Sequence, residues 1–187
     1  MRIIAGNFKG KKLLEPKDRQ TRPLKDLTKE SIFNVIKHSN LINVDIEKSC
    51  ILDLFSGVGS FGLECISRGA LSIIFFENYA GVLSILKKNI ISLNCSDKTN
   101  IFEEDAFSEI NLKKFNKIFD IIFLDPPFKE KKVSELLKII IKLEKLKKDG
   151  IIIIHRNKKE KNNFPTKFNV IDERNYGISK IIFGNLI

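Results

Sequence analysis

A chain of 187 residues, 43% hydrophobic and 30% charged, is sized for one domain with at most a small extension. That composition excludes a disordered or fibrous protein, and no run reaches the ~20 apolar residues a membrane-spanning helix needs. The formal net charge of +10 suggests a polyanionic partner, because phosphates attract Lys and Arg at long range.

Residues 1–24 alternate short apolar runs with Gly, Lys and Pro. Arg2-Ile3-Ile4-Ala5-Gly6 and Lys11-Lys12-Leu13-Leu14 are expected to pair as a hairpin around Asn7–Gly10. No long apolar core or small-residue cleavage site marks a secretory leader here. Asp26 or Thr28 is placed to cap a helix in which Ile32, Phe33, Val35 and Ile36 recur near helical spacing. Residues 1–38 carry ten basic and four acidic side chains. The chain is rich in Ile, Lys and Asn throughout, but an excess concentrated in one segment points to a binding face.

From Cys50 strands and helices alternate. Cys50–Phe55 reads as a strand, then a Gly-rich turn, then a helix from Val58 to Arg68 that Gly69 can cap in the left-handed conformation. Leu71–Glu77 is a second strand, Tyr79–Leu93 a helix and Thr99–Glu103 a third strand. Ile118–Leu124 is nearly all apolar, as a strand buried on both faces should be. Val133–Lys147 reads as an amphipathic helix and Ile151–His155 as a fifth strand. Lys167–Glu173 and Ser179–Asn185 read as two last strands joined at Tyr176-Gly177. The alternation calls for an α/β fold with a parallel sheet covered on both sides, and the last two strands suggest a hairpin at one edge.

Cys50, Cys65 and Cys95 form no CxxC pair, and only His38 and His155 could join them. Reduced thiols in a cytoplasmic protein are expected, with no metal site and no disulfide framework.

The first chemical signal is Asp53-Leu54-Phe55-Ser56-Gly57-Val58-Gly59-Ser60-Phe61-Gly62, which follows a strand and opens a helix. Gly57, Gly59 and Gly62 satisfy G-x-G-x-x-G, a turn that lets backbone approach a nucleotide. Glu77 ends the next strand, where an acid can accept hydrogen bonds from ribose hydroxyls. Taken alone, the pattern equally suits a dinucleotide. Asp53, before the glycines, would repel a pyrophosphate but suits the cationic methionyl part of S-adenosylmethionine. Asp105-Ala106 follows the third strand, where a side chain and a backbone N–H can read an adenine edge.

The second signal is Asp125-Pro126-Pro127-Phe128 at the end of the fourth strand, on the cofactor side of an open α/β sheet. Two prolines fix the backbone and remove two N–H donors, so the segment presents acceptors. Acceptors that grip both hydrogens of an aromatic amine can aim its lone pair at a methyl group. Phe128 can stack on the base. His155 and Arg156, ending the fifth strand, are placed either to touch phosphate or simply at the surface; His38 and Tyr176 have no chemical role.

These residues resemble the bacterial small-subunit ribosomal RNA (guanine-N2) methyltransferases, the family that modifies one guanine in 16S rRNA. The resemblance begins with Arg2-Ile3-Ile4-Ala5-Gly6 and Phe8-Lys9-Gly10-Lys11-Lys12-Leu13. It runs through Thr21-Arg22-Pro23, Lys29-Glu30-Ser31-Ile32-Phe33-Asn34, Asp53–Arg68 with Gly69-Ala70, Glu77 and Asp125–Phe128, and closes with Tyr176-Gly177. It implies a Rossmann-like class I S-adenosylmethionine-dependent methyltransferase with a seven-stranded mixed sheet, an antiparallel last strand and a small N-terminal extension. The expected division is an RNA-facing basic extension over 1–40 and a catalytic domain over 41–187. Asp53, Phe55, Ser56, Gly57, Gly59, Glu77, Asp105 and Ala106 would bind the cofactor, and Asp125, Pro126, Pro127 and Phe128 would hold the guanine. Arg2, Lys9, Lys11, Arg22, Lys25 and Lys29 are the candidate RNA contacts. The implied partner is 16S rRNA within the small ribosomal subunit, met by a monomer.

The chain departs from the family at Leu24, where Thr is common, and at Leu27-Thr28, where Arg-Val is common; one polar and one cationic side chain are lost near the RNA-facing segment. Other readings of the same residues are methylation of adenine N6, of a guanine in another RNA or of a protein glutamine. A nicotinamide oxidoreductase leaves Asp125–Phe128 unexplained. A non-catalytic RNA-binding assembly factor has no need of Asp53, Glu77 and Asp125 together.

Overall fold

In the apolar runs of the chain centre, successive side chains point to opposite faces of a sheet, and both sets are apolar. Such strands need cover on both sides. The computed structural model describes residues 1–16 and 24–187. In chain order it has α1 (Asp26–His38), β1 (Cys50–Leu54), α2 (Ser60–Ser67), β2 (Ser72–Phe76), α3 (Ala80–Ser92) and β3 (Thr99–Phe102). There follow α4 (Glu109–Lys113), β4 (Phe119–Leu124), α5 (Val133–Lys142), β5 (Leu146–Asn157), β6 (Phe168–Tyr176) and β7 (Ser179–Leu186).

The strands form one seven-stranded sheet in the order β3-β2-β1-β4-β5-β7-β6. The first five strands are parallel, and β7 runs antiparallel to β5 and to β6. The mixed sheet with a reversed last strand, expected from sequence, is what forms. The hairpin at the edge also forms, turning at Tyr176 and Gly177, whose φ of 60° suits glycine.

Alternation sorts the core into two layers. Ile51, Ile73, Phe75, Ile121, Phe123, Ile151 and Ile153 lie in one cluster, with Phe61 of α2 and Leu86 and Ile90 of α3. Leu52, Leu54, Ile74, Phe76, Ile122, Leu124, Ile152 and Ile154 lie in the other, with Leu112 of α4 and Val133, Leu136, Leu137 and Ile140 of α5. Ile3, Leu13, Leu24, Ile32, Phe33 and Ile36 belong to the first cluster. The N-terminal segment thus packs onto the same face as α2.

Its path is set by backbone bonds. Arg2 and Lys12 form an antiparallel bridge, and Gly10 N–H donates to Ile3 O at 2.9 Å. The first arm runs along α2 in the same direction. Ile4 and Ala5 N–H donate to Glu64 at 2.8 and 2.9 Å, and Asn7 N–H reaches Ser67 O at 2.7 Å. The returning arm ends where Leu14 N–H donates to the buried Asn89 side chain at 2.8 Å, whose amide in turn donates to Val58 O at 3.0 Å.

Two local expectations are corrected. Neither Asp26 nor Thr28 caps α1: Lys25 stands at the N-cap, no side chain makes a cap bond, and Thr28 is buried. α5 ends at Lys142, not Lys147, because Glu144 takes φ 50° and Lys145 N–H turns back to Ile140 O at 3.1 Å. That turn lets β5 begin at Leu146. The short helix α4 lies in a stretch to which the sequence analysis assigns no element. Among the described residues no helix is long and apolar enough to cross a membrane.

Candidate active site

The carboxyl ends of β1, β2 and β4 are adjacent in the sheet, and their turns carry the acids singled out from sequence. Asp53 pairs with Phe75 of β2 and Phe123 of β4. It is buried, and its Oδ2 accepts the Gly62 N–H at 3.0 Å. A Cβ on Gly62 would come 2.4 Å from the Phe75 ring and 3.0 Å from that oxygen, so glycine is what allows α2 to approach the strand. Asp53 Oδ1 is buried without a hydrogen-bond partner among the described residues. Burial, followed by the charges of Asp125 and Glu77, pushes the Asp53 carboxyl well above the usual carboxylate range.

The turn itself is left-handed at three places: Phe55 at φ 62°, Gly57 at 55° and Gly59 at 85°. Ser56 holds it, donating its hydroxyl to Asp53 O at 2.6 Å and its N–H to Phe76 O at 3.0 Å. Phe55 is a non-glycine residue in a strained conformation, a feature that gathers at binding sites. Its ring lies 5.2 Å from that of Phe107. Nothing lies within 4 Å of a Cβ built on Gly57, so the backbone there faces the open crevice.

Glu77 closes the floor. Its Oε2 accepts the Gly57 N–H at 2.7 Å, and its Oε1 accepts those of Asn78 and Tyr79 at 3.0 and 2.8 Å. A carboxylate has about four acceptor positions, so one is left for a hydroxyl. Asp105 is exposed and accepts the Phe107 N–H at 3.0 Å, while its backbone oxygen accepts from Asn111 Nδ2 at 3.1 Å. Ala106 is buried. The donor set suits a cofactor that carries a cation near Asp53, hydroxyls near Glu77 and an aromatic amine near Asp105. S-adenosylmethionine has these groups, and the unpartnered oxygen of Asp53 is the observation that fits its cationic end.

Asp125 follows directly, its N–H donating to Leu54 O at 3.2 Å. Pro126 is buried and Pro127 exposed. The Asp125 carboxylate meets His155: Oδ1 lies 2.8 Å from Nδ1, and His155 Nε2 lies 2.9 Å from Ser179 Oγ. The Phe128 ring stands edge-on to the imidazole, 5.5 Å between centroids. His155 and Arg156, read as residues for phosphate or the surface, are both buried. Arg156 straps the segment after Phe128 to β5 through a 2.7 Å bond from Nη2 to Glu130 O, and burial lowers its pKa.

Sequence reasoning missed Phe107, Ser179 and Asn111, and gave His155 a phosphate or surface role in place of its contact with Asp125. The register offered a signal for His155: Leu124 pairs with Ile154, so the next residues, Asp125 and His155, must be neighbours.

The basic residues divide. Arg2, Lys9, Lys11 and Lys25 are exposed. Arg22, with the rest of Thr21-Arg22-Pro23, lies outside the described residues. Lys29 is a correction. It has no exposed surface, and its Nζ donates to Arg2 O at 2.7 Å and lies 3.4 Å from Glu64 Oε2, so it cannot present charge to RNA.

Residues 1–185 match the family model described as Conserved hypothetical protein 95. A protein of Buchnera aphidicola subsp. Baizongia pistaciae named Ribosomal RNA small subunit methyltransferase D is 36% identical over 156 residues, which is 83% of this chain and 76% of that one. The chain belongs to that family. The Haemophilus influenzae protein of the same name is 30% identical over 179 residues, 95% of this chain and 90% of the relative. The solved structure of a methylase candidate from Haemophilus influenzae superposes with a TM-score of 0.78 at 30% identity, covering 100% of this chain and 98% of the other. The family resemblance carried by the opening segment, the glycine turn and Asp125–Phe128 is borne out, as is the α/β methyltransferase fold.

Proposed function

We propose that this protein transfers the methyl group of S-adenosylmethionine to the exocyclic N2 of one guanine in 16S rRNA, acting as a cytoplasmic monomer on the small ribosomal subunit. The observation that carries the reading is the place of Asp125-Pro126-Pro127-Phe128, one strand from Asp53 at the same sheet edge. The relatives named for small-subunit rRNA methylation support the choice of substrate. The cofactor, when bound, supplies an activated methyl group on a sulfonium.

The chain supplies position. Asp53 and Glu77 hold the cofactor's cationic and hydroxyl groups, with Phe55, Ser56, Gly57 and Gly59 shaping the turn against it. Asp105 and the Ala106 N–H read the adenine edge. Asp125 and the proline carbonyls accept the two amine hydrogens and turn the nitrogen lone pair toward the methyl, while Phe128 stacks on the guanine. Holding the reacting atoms in line is worth several kcal/mol, on the order of 7–11 in well-oriented cases.

Arg2, Lys11, Lys25 and Arg22 contribute phosphate contacts. The cavity of about 500 Å³ beside Arg156, edged by Lys131, Lys159 and Lys161, adds a basic surface beside the segment that follows Phe128. The test is transfer from labelled S-adenosylmethionine to small subunits lacking the modification, with naked 16S rRNA in parallel and nucleoside analysis of the product. N2-methylguanosine at one position, abolished by Asp125→Ala, supports the reading; a different methylated base or amide replaces it.

A further inference from the structure

Asp125 is the only member of the Asp125–Phe128 segment with a charged side chain, and it does not stand alone. Its Oδ1 is 2.8 Å from His155 Nδ1, and the far nitrogen of the ring is 2.9 Å from Ser179 Oγ. His155 is buried at 3% exposure, whereas Asp125 is only half-buried. An ionised carboxylate offers acceptors alone, so Nδ1 must carry the proton. In the neutral ring Nε2 is then an acceptor, which the Ser179 hydroxyl satisfies by donating. The chain of three groups is complete in the neutral tautomer, and each sits on a different element: β5 for His155, the start of β7 for Ser179 and the end of β4 for Asp125. The edge contact of Phe128 on the imidazole holds the ring from another side.

We infer that His155 is a positioning residue for methyl transfer. It ties down one oxygen of Asp125, so that the other oxygen is turned to the crevice to accept the target amine hydrogen, and Ser179 sets the tautomer that makes this possible. The inference rests on the functional reading above and goes beyond it, since it assigns the orientation of Asp125 to residues outside the motif. Histidines that serve another group in this way are fixed by what their second nitrogen bonds.

The experiment compares His155→Asn, His155→Gln and His155→Leu with the wild type on small subunits. The asparagine amide falls where Nδ1 lies, and the glutamine amide falls nearer Nε2. His155→Asn should retain most of kcat, while His155→Gln and His155→Leu lose roughly tenfold to a hundredfold, as misplacement of a reacting group does. KM for the RNA and the Kd of S-adenosylmethionine should stay near wild type in all three. A packing role predicts the reverse order, because Gln matches the volume of His better. Equal kcat for Asn and Gln, or better activity with Gln, overturns the inference.

A second measurement needs no substrate. The chain has two histidines, so imidazole ¹⁵N resonances can be assigned to His155 with a His38→Gln variant. The wild type should show the Nδ1–H tautomer, and Asp125→Ala should release it. An Nε2–H tautomer, or a spectrum indifferent to Asp125→Ala, overturns the inference even if the RNA substrate has been misassigned. Absence of transfer by the wild type refutes the functional reading alone.

Discussion

The Lys29 ammonium lies 3.4 Å from the Glu64 carboxylate, and neither side chain has any exposed surface. Glu64 also accepts from Ile4 N–H, Ala5 N–H and Arg68 Nε, so one buried carboxylate gathers the N-terminal arm, α1 and α2. Burial lowers the Lys29 pKa, and Glu64 opposes that shift. Removing one partner leaves the other charged and buried. Lys29→Ala should therefore cost about 3–5 kcal/mol of stability, read by chemical denaturation, with the methyl-transfer rate per folded molecule little changed. Unchanged stability with a loss of RNA affinity would return Lys29 to the RNA-facing set.

Asp53 trades stability for binding. Its folded-state pKa is raised, so the unfolded chain gives up this proton at lower pH than the folded one. Stability from this group is present at acid pH and is lost as pH rises toward the folded value. Asp53→Asn should raise the neutral-pH Tm by about 2–4 °C, the equivalent of ~1 kcal/mol in a domain of this size, while cofactor binding is lost. A fall in Tm would show that the Gly62 bond outweighs the burial of charge.

The same raised pKa sets a pH dependence. A cationic ligand meets the ionised carboxyl, so binding must expel the Asp53 proton wherever the free protein holds it. Calorimetric Kd for S-adenosylmethionine should weaken by up to about tenfold per unit as pH falls below the Asp53 value. A Kd that does not change with pH anywhere in the range where the wild type stays folded would remove Asp53 from the cationic end of the cofactor.

Position along α2 separates the basic residues. The N-terminal arm runs parallel to the helix, with Arg2 O bonded to the Lys29 side chain near Ser60 and Asn7 bonded to Ser67. The glycine turn precedes Ser60, so the tip with Lys9 lies a helix length away, about 12 Å. Charge reversal Arg2→Glu should weaken rRNA methylation, chiefly in KM and more so at low salt, whereas Lys9→Glu should have a smaller effect. Equal losses would mean that RNA wraps the whole hairpin.

Gly6 tests the docking of that arm. Its φ is 79°, and a Cβ there would fall 1.8 Å from the Ser67 carbonyl oxygen. Gly6→Ala should lower Tm by about 4–8 °C, as a loss of ~2 kcal/mol does. Thermal melts check it, and a smaller shift would mean that the arm can lift from α2.

The central strands and the glycine turn were legible because short apolar runs bounded by turns and the Gly57–Gly62 pattern are local signals. The segment 143–147 was misread because Lys145 and Lys147 extend a helical charge pattern, while the stop comes from the backbone at Glu144. Lys29 was misread as surface, although 29, 32, 33 and 36 share one helical stripe and Ile32, Phe33 and Ile36 are core. The His155 contact depends on register between two strands 30 residues apart in sequence, which no single segment reveals.

The reversed strand has a consequence in time. β7 follows β6 in the chain yet lies between β5 and β6 in the sheet, so a growing polypeptide makes it after every other strand it must join. Until it enters, one edge of β5 is bare and His155 lacks Ser179. A nascent chain stopped before Ser179 carries the glycine turn and the Asp125–Phe128 segment, but the outer edge of β5 and the His155 contact are completed only when β7 joins.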